Sequence, residues 1–527
     1  MPLGTAQDLG HLPQLGLKMS RVDRQKENTD VSYVENSVRG AVHEASEHGR
    51  AATDSHGRPL VSFDAAAEAR LRRKIDLYIV PSVAVIYLFC FIDRANIGNA
   101  RLAGFEQDLN LKGYDYNQVL SIFYISYILF EIPANIACKY IGPGWFLPAL
   151  TLGFGIITVC FAYVETIESA CGVRFLLGFF EAGMLPGIAY YMSRWYRRNE
   201  LTFRLSLYIV MASLAGAFGG LLASAILTLD KFGNLRRWRM IFAIEGIITI
   251  ILALVAFFTL TDRPETARWL TQEEKELAIS RIKSERVGAT EVLDKLSIQK
   301  AIRGVWNPVT LANSMVFLLG NVTVQGLAFF LPTIVRTIYP KNSIVSNQLH
   351  TVPPYIVGGF FILLVNFLSW KMARRNLFLM ISAFPIIAGY TIFLATTNSK
   401  ARYAATFLIA SGAFNSGALC NAQVSANVIS DSARSAAIGT TVMFGNIGGL
   451  IASWSFLPFD GPNYHTGNGL NLATSSLMVI ITVTLAFWAK GSNTRRSKRD
   501  VDAELSGLSP LAIENLDWKH PAFRWRL

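Results

Sequence analysis

Apolar residues along this chain arrive in long blocks, not in the alternation of a half-buried strand or the narrow stripe of a surface helix. Twelve blocks are long enough to cross a bilayer, which takes about 20 mostly apolar residues. In the first half they run over 76–98, 116–138, 145–164, 168–192, 203–228 and 238–260. In the second they run over 309–335, 350–370, 376–396, 402–429, 435–457 and 469–489. Only helices and closed barrels satisfy their own backbone in lipid, and no barrel-like alternation is present. The pattern predicts an all-α integral membrane protein with twelve transmembrane helices in two sets of six.

The polar stretches between the blocks divide the chain further. Residues 1–74 read as a largely disordered N-terminal tail, 75–260 as a first six-helix bundle, and 261–306 as a linker. Residues 307–489 read as the second bundle and 490–527 as a C-terminal tail. Within the linker, Thr271 followed three residues later by Glu274 is a capping-box signature, so a helix is expected from Gln272 to Arg286.

The two halves echo each other. Ala215-Gly216-Ala-Phe-Gly219-Gly220-Leu-Leu-Ala-Ser224 in the fifth block matches Phe444-Gly445-Asn-Ile-Gly448-Gly449-Leu-Ile-Ala-Ser453 in the eleventh. A weaker echo pairs Gly178-Phe-Phe-Glu181-Ala-Gly183 of the fourth with Gly412-Ala-Phe-Asn415-Ser-Gly417 of the tenth. Small residues at these spacings let helix backbones approach closely. Repeats of this kind commonly place a substrate site between two halves.

Composition agrees: of 527 residues 52% are hydrophobic and 16% charged, and the charges cluster between the blocks. With both termini cytoplasmic, roughly 36 of the 49 Lys and Arg fall inside and about 10 outside, the bias that sets topology. The net charge of +12 is therefore a property of cytoplasmic loops and tails and does not point to nucleic acid. Basic runs such as Arg70-Leu-Arg72-Arg73-Lys74 and Arg495-Arg496-Ser-Lys498-Arg499 lie beside helix ends, where anionic membrane lipid is the expected partner. The five cysteines show no metal or disulfide spacing, no Walker-type loop or nucleophile elbow occurs, and no cofactor or metal is expected.

A few charges do lie inside the blocks. A charge at mid-bilayer costs on the order of 3 kcal/mol on insertion scales, so such residues face a protein interior or a water path. Arg174 and Glu181 are seven residues apart and share a helix face two turns apart, able to alternate with a third partner. Burial favours the neutral form of a carboxyl and a nearby guanidinium the charged form, which is what proton binding and release require. A static Arg–Glu bridge is the structural alternative. Asp93 and Arg94 are adjacent, so their side chains leave the helix about 100° apart. Arg94 presents a planar fork suited to a carboxylate and is the candidate for binding an anion, with an interfacial, snorkelling Arg as the alternative.

Glu131 and Glu245 are candidate gate or structural pairs. Asn321 and Gln325, one turn apart, and Asn415, the counterpart of Glu181, are candidates to line a site from the second half. Asn421, Gln423 and Asn427 make the tenth block unusually polar without charge.

At these residues the chain resembles fungal major facilitator transporters of the anion:cation symporter family, in particular its allantoate-permease-like branch. The resemblance covers nearly all of 70–490. It is carried by Ile92-Asp-Arg94-Ala-Asn-Ile-Gly-Asn99, Phe123-Tyr-Ile-Ser-Tyr127 and Phe130-Glu-Ile-Pro-Ala-Asn135. It continues in Arg174-Phe-Leu-Leu-Gly-Phe-Phe-Glu181-Ala-Gly183-Met-Leu-Pro186-Gly187, Trp238-Arg-Met-Ile-Phe-Ala-Ile-Glu245-Gly and Gly467-Asn-Gly-Leu-Asn471. The resemblance implies that Asp93, Arg94, Arg174 and Glu181 act in anion binding and proton coupling. Lys139-Tyr-Ile-Gly-Pro-Gly144, between the second and third blocks, lacks the acidic and multiply basic loop usual in the superfamily.

The leading expectation is proton-coupled uptake of a small organic anion, a carboxylate, vitamin or ureide, by alternating access. Arg94, Arg174, Asn321, Gln325 and Asn415 would bind substrate, and Asp93 and Glu181 would handle protons. Proton-antiport export of a secondary metabolite is the alternative in the same fold, and a non-transporting nutrient receptor is one from another class. No catalytic constellation favours an enzyme. A monomer is expected, in the plasma membrane ahead of vacuolar or other internal membranes.

Overall fold

A computed structural model describes residues 64–229, 231–284, 298–507 and 516–526. The expected disorder of the N-terminal tail falls, up to residue 63, outside the described residues. Residues 63–282 and 293–527 form one compact unit. Among the described residues the chain is helical, apart from one isolated β-bridge between Phe232 and Leu235.

The first six spans are α1 (Ala65–Leu102), α2 (Asp115–Ile141), α3 (Pro143–Phe161), α4 with α5 (Ile167–Glu181 and Met184–Ser193), α6 (Arg198–Ile226) and α7 (Trp238–Thr259). The linker holds α8 (Gln272–Ser284) and α9 (Ile298–Val305). The second six are α10 (Pro308–Ile338), α11 (Ile344–Met372), α12 (Arg375–Ala395), α13 with α14 (Ser399–Ala413 and Asn415–Ala426), α15 (Asp431–Ala452) and α16 (His465–Arg496). Eleven described helical stretches are long and apolar enough to cross a membrane. The twelfth, α13 with α14, is interrupted at Phe414 and diluted by its amides.

Local chemistry sets the helix ends. The Asp64 carboxylate accepts from Ala66 N at 3.0 Å to start α1, and the Asn307 carbonyl oxygen accepts from Val309 N at 2.8 Å with Pro308 following at the first helical position. Thr271 and Glu274 cap α8 reciprocally, the Thr271 N–H donating to the carboxylate at 2.9 Å and Glu274 N donating to the hydroxyl at 3.3 Å.

Two boundaries differ from the sequence expectation in ways that matter. The first span reaches Leu102, not 98, so Arg94 lies eight residues, or about 12 Å, inside the helix end. The fourth span, expected as one helix over 168–192, breaks at Ala182–Gly183. A Cβ on Gly183 would press on Leu150, Phe146 and Ala134, so the break packs closely against α2 and α3.

The repeat is used as packing. Gly216 and Gly220 of α6 give room to Tyr355 and Thr351 of α11, while Gly449 of α15 gives room to Tyr124 of α2. Each small-residue face thus receives a side chain from the other half. Where the chain first returns, at the end of the bundle opposite its two tails, hydrogen bonds tie the halves together. Asn117 Nδ2 donates to the Ser453 carbonyl at 2.6 Å, Trp454 Nε1 to Ser121 Oγ at 2.8 Å, and Gln348 Nε2 to the Asn99 carbonyl at 3.4 Å.

At the tail end, α8 docks on α1 and α6 through charge. Arg281, buried, reaches Glu68 at 3.0 Å and Glu200 at 2.6 Å, and Lys74 meets Glu274 at 2.6 Å. Burial opposes ionisation of Glu274, but the Lys74 ammonium and the Thr271 donors hold its carboxyl below the usual carboxylate range. The last described residues, 516–526, fold back onto the same end as a strap. Asp517 accepts from Ile429 N at 3.2 Å and Ser430 Oγ at 3.0 Å, and Trp525 is buried beside α16.

Candidate functional site

The charges that the sequence places inside apolar blocks converge in the first bundle, where side chains of α1 meet side chains of α2, α3, α4 and α7. Arg94 of α1 meets Glu181 of α4: Nη2 donates to Oε2 at 2.7 Å and Nε to the same oxygen at 3.2 Å. The pair is buried, Glu181 completely. Oε1 of Glu181 has no hydrogen-bond partner among the described residues. Around the guanidinium stand three rings, Phe91, Phe123 and Tyr127, with centroids 5.0–5.2 Å from Cζ. Phe123 and Tyr127 are four residues apart on α2 and share a face, a spacing from which the cage was legible.

Arg174, one face with Glu181 but two turns away, forms no salt bridge with it. Its guanidinium packs on Phe161 at 4.8 Å and Phe242 at 5.9 Å, and its Nε has no hydrogen-bond partner among the described residues. Glu181 therefore takes its cation from α1, a pairing that neither adjacent motif reveals on its own.

Asp93 leaves α1 on a different side from Arg94. It lines a small cavity with Thr158 of α3, Arg174 and Phe242, and neither carboxylate oxygen has a partner among the described residues. Leaving a buried carboxyl unpartnered is costly, which makes Asp93 a candidate functional group.

Glu131 and Glu245 have no cationic partner among the described residues, so neither forms the ionic bridge that their sequence positions admit. Asn446 Nδ2 of α15 donates to Glu131 at 3.1 Å, and Asn96 Nδ2 of α1 donates to Glu245. Asn99 Nδ2 donates to Asn96 at 2.7 Å, extending the second chain toward Gln348 of the other half. Asn446 and Thr158 escaped the sequence reading because an isolated amide or hydroxyl in an apolar block carries no pattern.

The second half contributes amides. Asn321 Nδ2 donates to the Gly445 carbonyl at 2.5 Å, joining α10 to α15, while Gln325 one turn on keeps a buried Oε1 without a partner. Asn415 starts α14 and donates to the Ser411 and Gly412 carbonyls at 2.9 and 3.3 Å, its own Oδ1 left over. Gln423 and Asn427 are spent differently: both donate to the Arg526 carbonyl, at 2.6 and 3.0 Å, holding the strap.

Comparison with known proteins gives a consistent result. The Major Facilitator Superfamily profile matches residues 83–453. The uncharacterized transporter C1683.12 of Schizosaccharomyces pombe is 32% identical over 82% of this chain and 89% of its own. The MFS-type transporter efuF of Hormonema carpetanum is 30% identical, covering 86% and 92%, and the major facilitator-type transporter hxnP of Emericella nidulans is 29% identical, covering 89% and 96%. Among solved structures, a bacterial homolog of the human lysosomal transporter Spinster, inward-facing and unoccupied, superposes with a TM-score of 0.57 at 17% identity. That match covers 80% of this chain and 96% of the bacterial one, and supports the fold. A helical membrane protein whose two halves pack by exchanged small-residue faces, and whose fungal relatives are transporters along nearly their whole length, is a transporter and not an enzyme: the chain belongs to the Major Facilitator Superfamily.

Proposed function

We propose that this transporter imports a small organic anion, a carboxylate, vitamin or ureide, together with protons, as in the allantoate-permease-like branch of the anion:cation symporters. The two bundles rock about a central site, with both termini cytoplasmic and the plasma membrane as its location. Arg94 and Arg174 bind the anion, Asn321, Gln325 and Asn415 line the site from the second half, and Glu181 and Asp93 carry protons.

The observation that carries this reading is the buried Arg94–Glu181 pair. An incoming carboxylate competes with Glu181 for the same guanidinium. Freeing Arg94 while Glu181 stays charged would strand a buried anion, at a cost of about 3–5 kcal/mol. A proton on Glu181 removes that cost, so proton and anion enter as linked events. Four buried carboxyls, Asp93, Glu131, Glu181 and Glu245, stand against three buried guanidiniums in this bundle, and one of these, Arg194, is paired with Asp262, leaving proton acceptors in excess of available cations.

Replacing Glu181 with Gln is the direct test, in proteoliposomes loaded with candidate anions. The expected result is loss of proton-driven accumulation with anion exchange retained. Equal loss of both, in protein of normal folded content, removes Glu181 from the coupling role.

A further inference from the structure

The strap does more than cover a helix end. With α6, α11, α12, α14 and α15 it lines an open-sided cavity of about 730 Å³ at the tail end of the bundle, with Arg524 and Arg526 exposed at its rim. Four guanidiniums line it: Arg375 at the start of α12, Arg434 in the first turn of α15, and Arg524 and Arg526 of the strap. No described carboxylate does. Like charges raise each other's energy at short range, so a cluster of guanidiniums around one space favours an anionic occupant. Arg375 and Arg526 repel each other in this way, and neither side chain has an ion pair or hydrogen bond among the described residues.

The other two are anchored on backbone carbonyls. Arg434 donates to the Val428 and Ile429 carbonyls at 3.1 and 3.4 Å, and Arg524 to the Pro521 carbonyl at 2.8 Å. Ser425 adds a buried hydroxyl without a partner. Exposed Trp370 lies on the same wall, the residue type that sits at the headgroup level of a bilayer.

From this juxtaposition we infer that the cavity is a binding site for a multiply charged phosphate group, completed by the C-terminal strap and separate from the Arg94–Glu181 centre. Several guanidinium forks around one space match the many oxygens of a phosphorylated headgroup or a free polyphosphate, and one carboxylate would leave most of them unused. The volume admits a phosphorylated ring or a pair of linked phosphates. Gln423 and Asn427, by fixing Arg526 through its backbone, determine whether the site exists, so occupancy and strap docking stabilise each other.

The test uses the full chain in neutral detergent, following the thermal midpoint against inorganic pyrophosphate, with sulfate at matched ionic strength as the control. The expected result is a saturable rise with pyrophosphate alone, whose half-point moves by on the order of tenfold or more in R375Q/R526Q. K112Q/K341Q, which removes two exposed cations outside the cavity, should behave as the wild type, and R375K/R526K should keep part of the binding. Similar unliganded midpoints in the four proteins establish that they fold alike.

Mass spectrometry of the intact protein after exchange into vesicles containing anionic phospholipid then separates the sources. A retained phospholipid that R375Q/R526Q lacks and pyrophosphate displaces assigns a lipid headgroup, whereas pyrophosphate binding without retained lipid assigns a soluble phosphate. Equal midpoints with sulfate and pyrophosphate, or identical responses of wild type and R375Q/R526Q to pyrophosphate, overturn the inference.

Discussion

The first bundle buries Asp93, Arg94, Glu131, Arg174, Glu181 and Glu245, whereas the second buries Asn321, Gln325, Asn415, Asn421, Gln423, Asn427 and Asn446 at comparable depth. Among its described residues, the buried charges of the second half are Arg402 and Asp517, both near helix ends. The packing is repeated while the chemistry is not. An amide in lipid is satisfied by a neighbouring carbonyl, as Asn321 and Asn415 are, and so can stabilise a helix contact without titrating. A buried carboxyl or guanidinium can change charge, and its state depends on its surroundings: Glu181 has a cation beside it, whereas Glu131 and Glu245 are met by amides. One half thus buries titratable groups where the other buries amides.

The largest effect expected from breaking this contrast is at Arg94. Arg94→Ala leaves Glu181 buried without its cation, which should cost about 3–5 kcal/mol in an unfolding titration. Removing both partners together should restore a good part of it. Anion affinity should fall in the same variant, and an unchanged affinity would transfer the anion role to Arg174.

Placing a charge in the neutral half attacks the contrast from the other side. Asn415→Asp sets a carboxylate at the counterpart of Glu181 with no buried cation beside it, at an expected cost of about 2.5–3.5 kcal/mol on insertion scales. Reduced yield of folded protein would register it, and coupling should not improve. A variant that folds and transports with altered proton stoichiometry would show that the second half can share the work.

The smallest effect belongs to charges outside the membrane. Glu274→Gln removes the Lys74 clamp on α8 and should cost no more than about 1 kcal/mol, the range of solvated pairs. Because the Glu274 carboxyl is held below its ordinary range, the clamp is complete above the unfolded carboxyl value of about 4.3 and is lost as pH falls through the lower folded one. Hydrogen exchange in α8 should accelerate over that acid interval in the wild type and show no such step in the Gln variant.

Helix positions were readable in the sequence because burial in lipid demands long apolar runs, and the second span, expected over 116–138, is found as Asp115–Ile141. The break after Glu181 was not, since it arises from how closely Gly183 approaches Leu150 and Phe146, a tertiary fact. At the site, the buried status of Arg94 and Glu181 followed from the expense of charge in apolar surroundings. Their pairing did not, because residues 87 positions apart carry no mutual periodicity. In the sequence the amides at 423 and 427 show only as an unusual polarity of the tenth block. Only the returning strap, distant in sequence and rich in Trp and Arg, reveals what they hold.

The ring cage around Arg94 has a mechanical meaning. Phe91, Phe123 and Tyr127 hold the guanidinium among three rings, while its N–H donors reach the Glu181 carboxylate. Under the proposed exchange of anions, the cation is a fixed post with interchangeable moorings: one carboxylate slips off and another ties on while the post itself stays put. Rotation of a Glu side chain, not travel of an Arg, then becomes the moving part.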